Sequence, residues 1–512
     1  MPPKNKLSKL DTELFSAVKD SDAKAVAKHL AAGANPNARD KDGYMALHHA
    51  ASDTSPEIIQ LLLDAGAEVD GLDSDSAIAL SFATARTDGD AVERVKLLIA
   101  KGANVNHQWD DEDRPTILTD LLNQENNEEP SAEILKTLLQ AGANPNLPNG
   151  RGETPLMLAV GYTEQPELTE LLLEHGAQVN AVDAEGASAL MNAVKDGNVR
   201  LVERLIAKGA DVNQAATYDQ GNTVLTMALH LDEVYGDPSP KVVDALLRGG
   251  ANPNKPNATG WAPLHLAACI EDVKFTELLL QAGADVKTPN AGGYCAIDLA
   301  SSRNHKKVVK RLLAAGSPTP EQAAAERMER LWKRIGAWYA KNNAAYAKSV
   351  EQTRPAKPEE ISTLEKALGA ELPLDFRAFL LRFGGGSPPG EVPMSISEYE
   401  VLPVRRILER WKGLEELREK GTFADTEPHE LSESQEEVAW TWWHSGWVPL
   451  AQDSGGNLYC VDLAPGPEGQ LGQVIKWEMH DGPLSPRAES LEDFFGEYLE
   501  GLEDGSIELD SD

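Results

Sequence analysis

Apolar and polar positions from about residue 9 to residue 316 follow one phrase that keeps returning. A leucine-rich run gives way to one or two small residues, a glycine and an Asn- or Asp-bearing tail: "AGANPN" to Asn37, "AGAEVD" to Asp70, "KGANVN" to Asn106, "AGANPN" to Asn146, "HGAQVN" to Asn180, "KGADVN" to Asn213, "GGANPN" to Asn254 and "AGADVK" to Lys287. The glycines from Gly33 to Gly283, with a last echo at Gly316, are spaced by 33, 36, 40, 34, 33, 41, 33 and 33 residues. This is a 33-residue unit lengthened in three copies, the signature of a repeat architecture. A second phrase follows each glycine at a short distance: "MALHHA" from Met45, "TPLMLA" from Thr154, "SALMNA" from Ser188, "TVLTMA" from Thr223 and "APLHLA" from Ala262. Pro155 and Pro263 stand where a first helical turn tolerates proline, and Thr154 can satisfy free amides at the same end. The glycine after the leucines suits a left-handed helix C-cap. "DKDG" to Gly43, "NGRG" to Gly152 and "NATG" to Gly260 are hairpin-turn chemistry. Each unit therefore predicts helix, loop, helix and a projecting finger.

These phrases resemble the ankyrin repeat family, whose signature is TPLHxA followed by a helical LLxxGA. The resemblance covers about nine repeats and implies an all-α solenoid with β-hairpin fingers that binds proteins and catalyses nothing. The residue after each finger turn reads Tyr44, Ala77, Pro115, Glu153, Ala187, Asn222, Trp261 and Tyr294, so its aromatics lie towards the two ends of the array. Tyr44, Trp261 and Tyr294, with Trp109 in "HQWDDEDR", are candidate partner contacts, because exposed aromatics are favoured anchors. Packing on a neighbouring finger is the competing use. Two acidic insertions, near Glu128 and Tyr235, lengthen loops on one edge and could form a charged lip.

After Gly316 the pattern changes. Leu331, Ile335, Trp338 and Tyr339 fall at helical spacing in a segment, Ser317 to Val350, with six Lys or Arg against three Asp or Glu, which predicts a capping or domain-bridging helix. Beyond "RPAKPEE" come a helix through Ile361, Leu364 and Leu368, a stop at Gly369, "LPLDF", and a helix with Phe376, Phe379 and Leu380 inward. Leu372, Pro373, Phe376, Phe379, Leu380, Gly385 and Gly386 resemble the opening signature of the SUKH superfamily (Smi/Knr-type), which unites toxin-immunity proteins and cell-wall regulators. Gly384 stands where that family usually has Asn, and glycine should keep the turn because it accepts positive φ. Trp447 to Leu450, "DSGGN", Tyr459 to Leu463, "GQVIKWEMH" and "SLEDFFGEYLEGL" continue the family order, with Asn457 where members often have Asp. The expected organisation is a multidomain chain: a tail over 1–8, ankyrin repeats over 9–316, a helical linker over 317–356, an α+β SUKH domain over 357–505 and an acidic tail over 506–512.

In "WTWWHSGW", Trp447 reads as a strand residue packing on helices, since Trp447, Pro449, Cys460 and Asp462 alternate about a turn. Trp442 and Trp443 divide between core and partner contact. Asp453, Asp462, His444 and His480 come without any catalytic motif, and His48, His49 and His265 occupy the ankyrin LH slot, where a structural role is the default. No enzyme, cofactor or metal site is expected. Cys269, Cys295 and Cys460 are scattered singly and read as reduced core residues of a cytosolic protein. No apolar leader or run of spanning length occurs. The net charge of −34 disfavours nucleic acid and anionic lipid and favours a basic partner. From Glu351 onward 34 acidic face 13 basic residues, a balance of −21, leaving −13 for the rest. The expectation is a monomeric protein-binding protein: an immunity protein whose acidic SUKH domain and ankyrin array bind and neutralise a basic toxin domain, or alternatively a scaffold for clients such as cell-wall-synthesis factors.

Overall fold

The computed structural model describes residues 7–110, 113–123, 129–162, 164–217, 219–231, 237–422, 438, 441, 443–479 and 482–507. The chain gathers into two compact units, Met1–Asp285 and Val286–Asp512.

The first unit holds the helices from α1 (Lys9–Lys19) to α16 (Val273–Gln281), paired along the repeat. Their ends follow from the recurring phrases. The glycine after each leucine run takes φ near +90°, from Gly33 at +93° to Gly283 at +90°, so the backbone turns out of the helix where any other residue would be strained. At the other end, Thr154 accepts the Met157 N–H at 3.4 Å, and His48 and His265 accept the N–H groups of Met45 and Ala262 at 2.9 and 3.0 Å. His48 is buried, its second ring nitrogen lies 2.9 Å from the Gly71 carbonyl, and burial pushes its pKa down, so a neutral imidazole serves as a structural clasp.

The Asn that closes each phrase ties one repeat to the next. The Asn37 carboxamide donates to the Gly66 carbonyl at 3.0 Å and accepts the Glu68 N–H at 2.8 Å. The same two-way bridge recurs at Asn106, Asn146, Asn180, Asn213 and Asn254. Asp70 supplies only the accepting half, to the Asn104 N–H at 2.9 Å. Residues 124–128 and 232–236, which carry most of the two acidic insertions, lie outside the described residues, and so does the acidic lip expected there.

The second unit begins with the helices α17 (Ala296–Ser302) and α18 (Lys306–Ala314) of the terminal repeat, then α19 (Pro320–Asn342), α20 (Ala344–Gln352), α21 (Pro358–Leu368) and α22 (Leu374–Phe383). Six strands follow in sequence order as one antiparallel sheet: β1 (Ser395–Ile396), β2 (Tyr399–Val401), β3 (Trp447–Gln452), β4 (Leu458–Asp462), β5 (Val474–Glu478) and β6 (Gly482–Ala488). The helix α23 (Val404–Glu419) lies between β2 and β3 in the chain, and α24 (Leu491–Asp504) comes after β6. The β3–β4 hairpin pairs Trp447 with Asp462 and Pro449 with Cys460, as the alternation predicts. Because side chains alternate across a strand, the sheet is apolar on both faces. Val448, Leu450, Val461 and Val474 pack with Phe376, Phe379 and Phe495; Trp447, Leu458, Cys460, Ile475 and Trp477 pack with Leu414 of α23 and with Trp443. The edge strand β6 carries Pro483 and Pro486, which cannot donate to another strand.

Two local expectations are corrected. Gly384 is an ordinary right-handed residue at φ −71°, and the positive φ falls on Gly386 at +75°. The turn at Gly385 is closed by sterics instead: a Cβ there would lie 2.3 Å from the Pro355 carbonyl oxygen. In α19 Ile335 and Tyr339 are buried as their spacing predicts and Leu331 and Trp338 are half-buried on the same core, but the buried stripe also runs through Ala324, Arg327, Met328 and Trp332. Alanines and an arginine disguise that stripe in the apolar pattern. Cys295 and Cys460 are buried and unbridged as expected, but Cys269 is half-buried.

Candidate protein-binding surfaces

In the first finger the Asp40 carboxylate accepts the N–H groups of Asp42 and Tyr44, both at 3.0 Å, which sets Tyr44 at the foot of the turn. The half-buried Tyr44 ring meets the edges of His49 at 5.5 Å and Phe82 at 5.7 Å, and His49 meets Phe15 at 5.9 Å. An aromatic run thus crosses three consecutive repeats. His49 lies 2.8 Å from Asp40. Burial alone would raise the Asp40 pKa, but the His49 hydrogen bond and the two backbone N–H groups more than offset it and hold the carboxyl below its ordinary value. Burial and then the carboxylates of Asp73, Asp75, Asp42 and Asp40 push the Tyr44 phenol up. Sequence reading missed Phe82 and His49 as neighbours of Tyr44. His49 follows Tyr44 in the same repeat and Phe82 stands one 33-residue period beyond His49, so the three meet only once the repeats are stacked.

The other candidates divide by burial. Trp109 is 7% exposed, its ring 5.6 Å from His107 and its N–H on the Pro115 carbonyl, so it packs within its own finger. Trp443 is 1% exposed, donates its indole N–H to Glu415 at 2.9 Å and meets Trp447 and Trp477 at right angles. Of its two uses, core is the one the structure shows. Trp261 is half-buried, its N–H held by Asn257 at 2.8 Å and its ring 6.3 Å from His265. Trp442 lies outside the described residues. Tyr294, half-buried on the terminal finger, has the Arg327 guanidinium 4.8 Å from its ring centre. Burial, followed by the negative field of Glu492 and Asp493, pushes its phenol above the ordinary value. Tyr44, Trp109 and Trp261 meet different ring partners within the first unit, and Tyr294 and Trp443 have different partners within the second.

Arg327 is the centre of a buried charge cluster that no motif announces. Its guanidinium lies 2.6 Å from Asp298 of α17 and 2.7 Å from Glu492 of α24, with all three side chains largely buried. Asp375 of α22 accepts the Leu491 and Glu492 N–H groups at 2.9 and 3.2 Å, capping α24 from another helix. Below the second face of the sheet, Asp462 is fully buried and accepts the Ala464 N–H and the Gln473 amide. Burial raises its pKa, and those hydrogen bonds only partly oppose the rise. Among the described residues no group of three or more His, Cys, Asp or Glu could hold a metal ion, and no helix is long and apolar enough to cross a membrane.

The helix–loop–helix–finger units, stacked through their asparagines, and the two-faced sheet with its flanking helices define the class: an ankyrin array joined to an α+β domain. The chain belongs to the ankyrin repeat family, whose sequence model matches residues 14–108, 125–216 and 225–322, and it carries a SMI1/KNR4 family (SUKH-1) domain over residues 355–497. It is 27% identical over 204 residues to the cell wall biosynthesis/cell cycle regulator smi1 of Schizosaccharomyces pombe, an overlap of 38% of this chain and 40% of that one. It is 34% identical over 140 residues to the nuclear factor NF-kappa-B p105 subunit of Gallus gallus, 27% of this chain and 14% of that one. The chain thus spans less than half the length of either relative. The solved ankyrin repeat domain of Bcl-3, at 27% identity and a TM-score of 0.39, aligns with 46% of this chain and 98% of its own.

Proposed function

We propose that this is a non-enzymatic, cytosolic protein-binding protein that acts as a monomer and holds a basic protein client. The observation that carries the reading is charge. Residues 1–285 hold 44 acidic and 23 basic residues, and residues 351–512 hold 34 and 13, so each excess is −21. The stretch 286–350, with 12 basic and 4 acidic residues, is the exception. Two acidic modules repel phosphate-rich partners and favour basic ones. Ankyrin and SMI1/KNR4 domains both support protein binding in place of catalysis. In the reading that charge favours, the client is a toxin domain and the protein is its immunity partner. A second reading, a scaffold for cell-wall-synthesis factors, draws on the similarity to the fission yeast cell-wall regulator.

The test is a pull-down from native lysate with the full chain, residues 1–285 and residues 286–512 as baits. These cuts follow the two compact units and leave Asp298 with Arg327. Retention of a basic toxin-like domain, with growth rescued on co-expression, supports immunity. Retention of a cell-wall-synthesis factor supports the scaffold. Recovery of acidic or nucleic-acid partners alone sinks both.

A further inference from the structure

The second unit contains an open cleft of about 730 Å³ between the terminal finger at Gly292–Tyr294, the helix α19 and the helix α24. That volume is in the range of specific ligand sites. Its two helical walls carry charge of opposite sign. On α19, Arg327 is held by Asp298 and Glu492, Arg330 donates to the Gly293 carbonyl at 2.8 Å, and Arg334 pairs with Glu503 at 3.3 Å. On and just before α24, Glu489, Asp493, Glu497 and Glu500 are exposed along the cleft, three to four residues apart. Five lining carboxylates face three guanidinium groups, and Asp298 and Glu503 bring the acidic total to seven. The cleft is left with an excess of negative charge.

A second feature concerns the backbone of that wall. Gly496 sits in the middle of α24 and lines the cleft, and among the described residues no atom beyond its chain neighbours and the adjacent helix backbone lies within 4 Å of where its Cβ would be. A mid-helix glycine costs about 1 kcal/mol relative to alanine, and nothing packed inside the protein needs the space. Its effect is to leave helix backbone uncovered on that wall of the cleft, between Asp493 and Glu497, where a second chain can come close.

We propose that this cleft is a docking site for a basic, lysine- or arginine-bearing segment of the partner protein, lying over Gly496 with its cationic groups on Asp493, Glu497 and Glu500. The proposal deepens the reading of a basic client and rests on it. The partner chemistry follows from complementarity: Arg327 and Arg334 are paired with carboxylates, Arg330, bonded to a neutral carbonyl, leaves a single uncompensated cation on that wall, and an acidic segment would meet the larger excess of carboxylates on α24. Tyr294 closes the far end, with Arg327 against its ring.

The experiment is a fluorescence-anisotropy titration of a labelled oligolysine peptide against the full chain at low salt. Wild type binds. Glu497→Lys with Glu500→Lys weakens binding by about tenfold, the effect of removing and reversing two exposed pairs. Gly496→Leu, which leaves the charge unchanged and meets no neighbour, also weakens it. Glu416→Lys with Glu419→Lys on α23, away from the cleft, has little effect. Melting curves confirm that each variant is folded, and Gly496→Ala, expected to stabilise α24, is a second steric probe if the leucine variant is not. Absence of wild-type binding, or equal loss from both charge-reversed pairs, overturns the proposal. So does full binding by the folded glycine variants. The client from the pull-down is titrated in parallel. If it binds the Glu497→Lys, Glu500→Lys protein undiminished, the cleft is wrong and the basic-client function stands; if no basic client is retained at all, that function falls on its own evidence.

Discussion

A single atom, oxygen in place of nitrogen, separates Asp70 from the asparagines that bridge the other repeats. Asp70 accepts the Asn104 N–H but, as a carboxylate, cannot donate to the carbonyl of Gly102 as Asn37 does to that of Gly66. Asp70→Asn should complete the bridge and stabilise the array by about 0.5–1 kcal/mol, read as a higher urea midpoint, with Asn146→Asp moving it the other way. A second residue-scale prediction concerns Asp462, whose burial raises its pKa above the unfolded value despite the hydrogen bonds from Ala464 and Gln473. Below the ordinary carboxylate range the group is protonated in both states and costs nothing. As pH rises through the folded pKa, the native state has to hold a buried charge, and stability is lost. Asp462→Asn should therefore gain on wild type as pH is raised from below the ordinary carboxylate range to neutral, in paired urea melts. An unchanged difference across that range would mean the native carboxyl titrates normally. The sequence displays both residues openly, Asp70 as the odd letter in a repeated phrase and Asp462 at a strand end. It does not display that Asp70 faces Asn104, a repeat away, or that Asp462 faces Gln473, just before the next strand.

At the scale of elements, helix boundaries were legible because caps are local: Gly33 and Thr154 declare themselves within a few residues. The inward face of α19 was legible only in part: Ile335 and Tyr339 fall at helical spacing and are buried, but the rest of the stripe is alanines, Met328, Trp332 and a charged Arg327, chosen by packing against α22, α24 and α17. Arg327 joins the terminal repeat's α17 to the last helix of the C-terminal domain through two largely buried carboxylates. Removing it strands both charges, and breaking a buried pair costs about 3–5 kcal/mol. Arg327→Ala should lower the unfolding free energy of the second unit by that amount in chemical denaturation. Arg327→Lys should recover part of the loss, since one ammonium keeps the charge but cannot fork to both carboxylates. Combining Arg327→Leu with Asp298→Asn and Glu492→Gln should recover more than Arg327→Leu alone, because neither of the two carboxylates that Arg327 pairs with is then left buried and unpaired. An Arg327→Ala protein as stable as wild type would show that the bridge contributes nothing net. The Trp-rich stretch has the same lesson: Trp443 is core because α23 and the sheet enclose it, and nothing in "WTWWHSGW" distinguishes it from its neighbours.

Across the whole molecule, charge is the property sequence gives most directly, yet where the chain is divided changes its meaning. Cut at residue 351, the C-terminal part holds −21 of the −34; divided into its two compact units, the first holds −21 and the second −13, because the basic stretch 286–350 goes with the C-terminal domain. The acidic field therefore belongs to both units, and it makes a kinetic prediction that neither fold alone would make. A basic client should associate fast at low salt, and the rate should drop steeply as ionic strength rises, since the screening length contracts from about 10 Å at 0.1 M to about 3 Å at 1 M. The fall expected in the association rate is about tenfold or more, with the dissociation rate changing much less, because long-range attraction acts on the encounter and short contacts act on release. Stopped-flow binding of the client retained in the pull-down, run with the full chain and with each unit, separates the possibilities. If both units show the steep dependence, the client is recognised through the shared acidic field. If only residues 286–512 show it, the C-terminal unit carries the encounter, despite having the smaller net charge. A salt-independent rate in the full chain would mean that the partner is not selected by charge, and the acidic excess would then serve solubility alone.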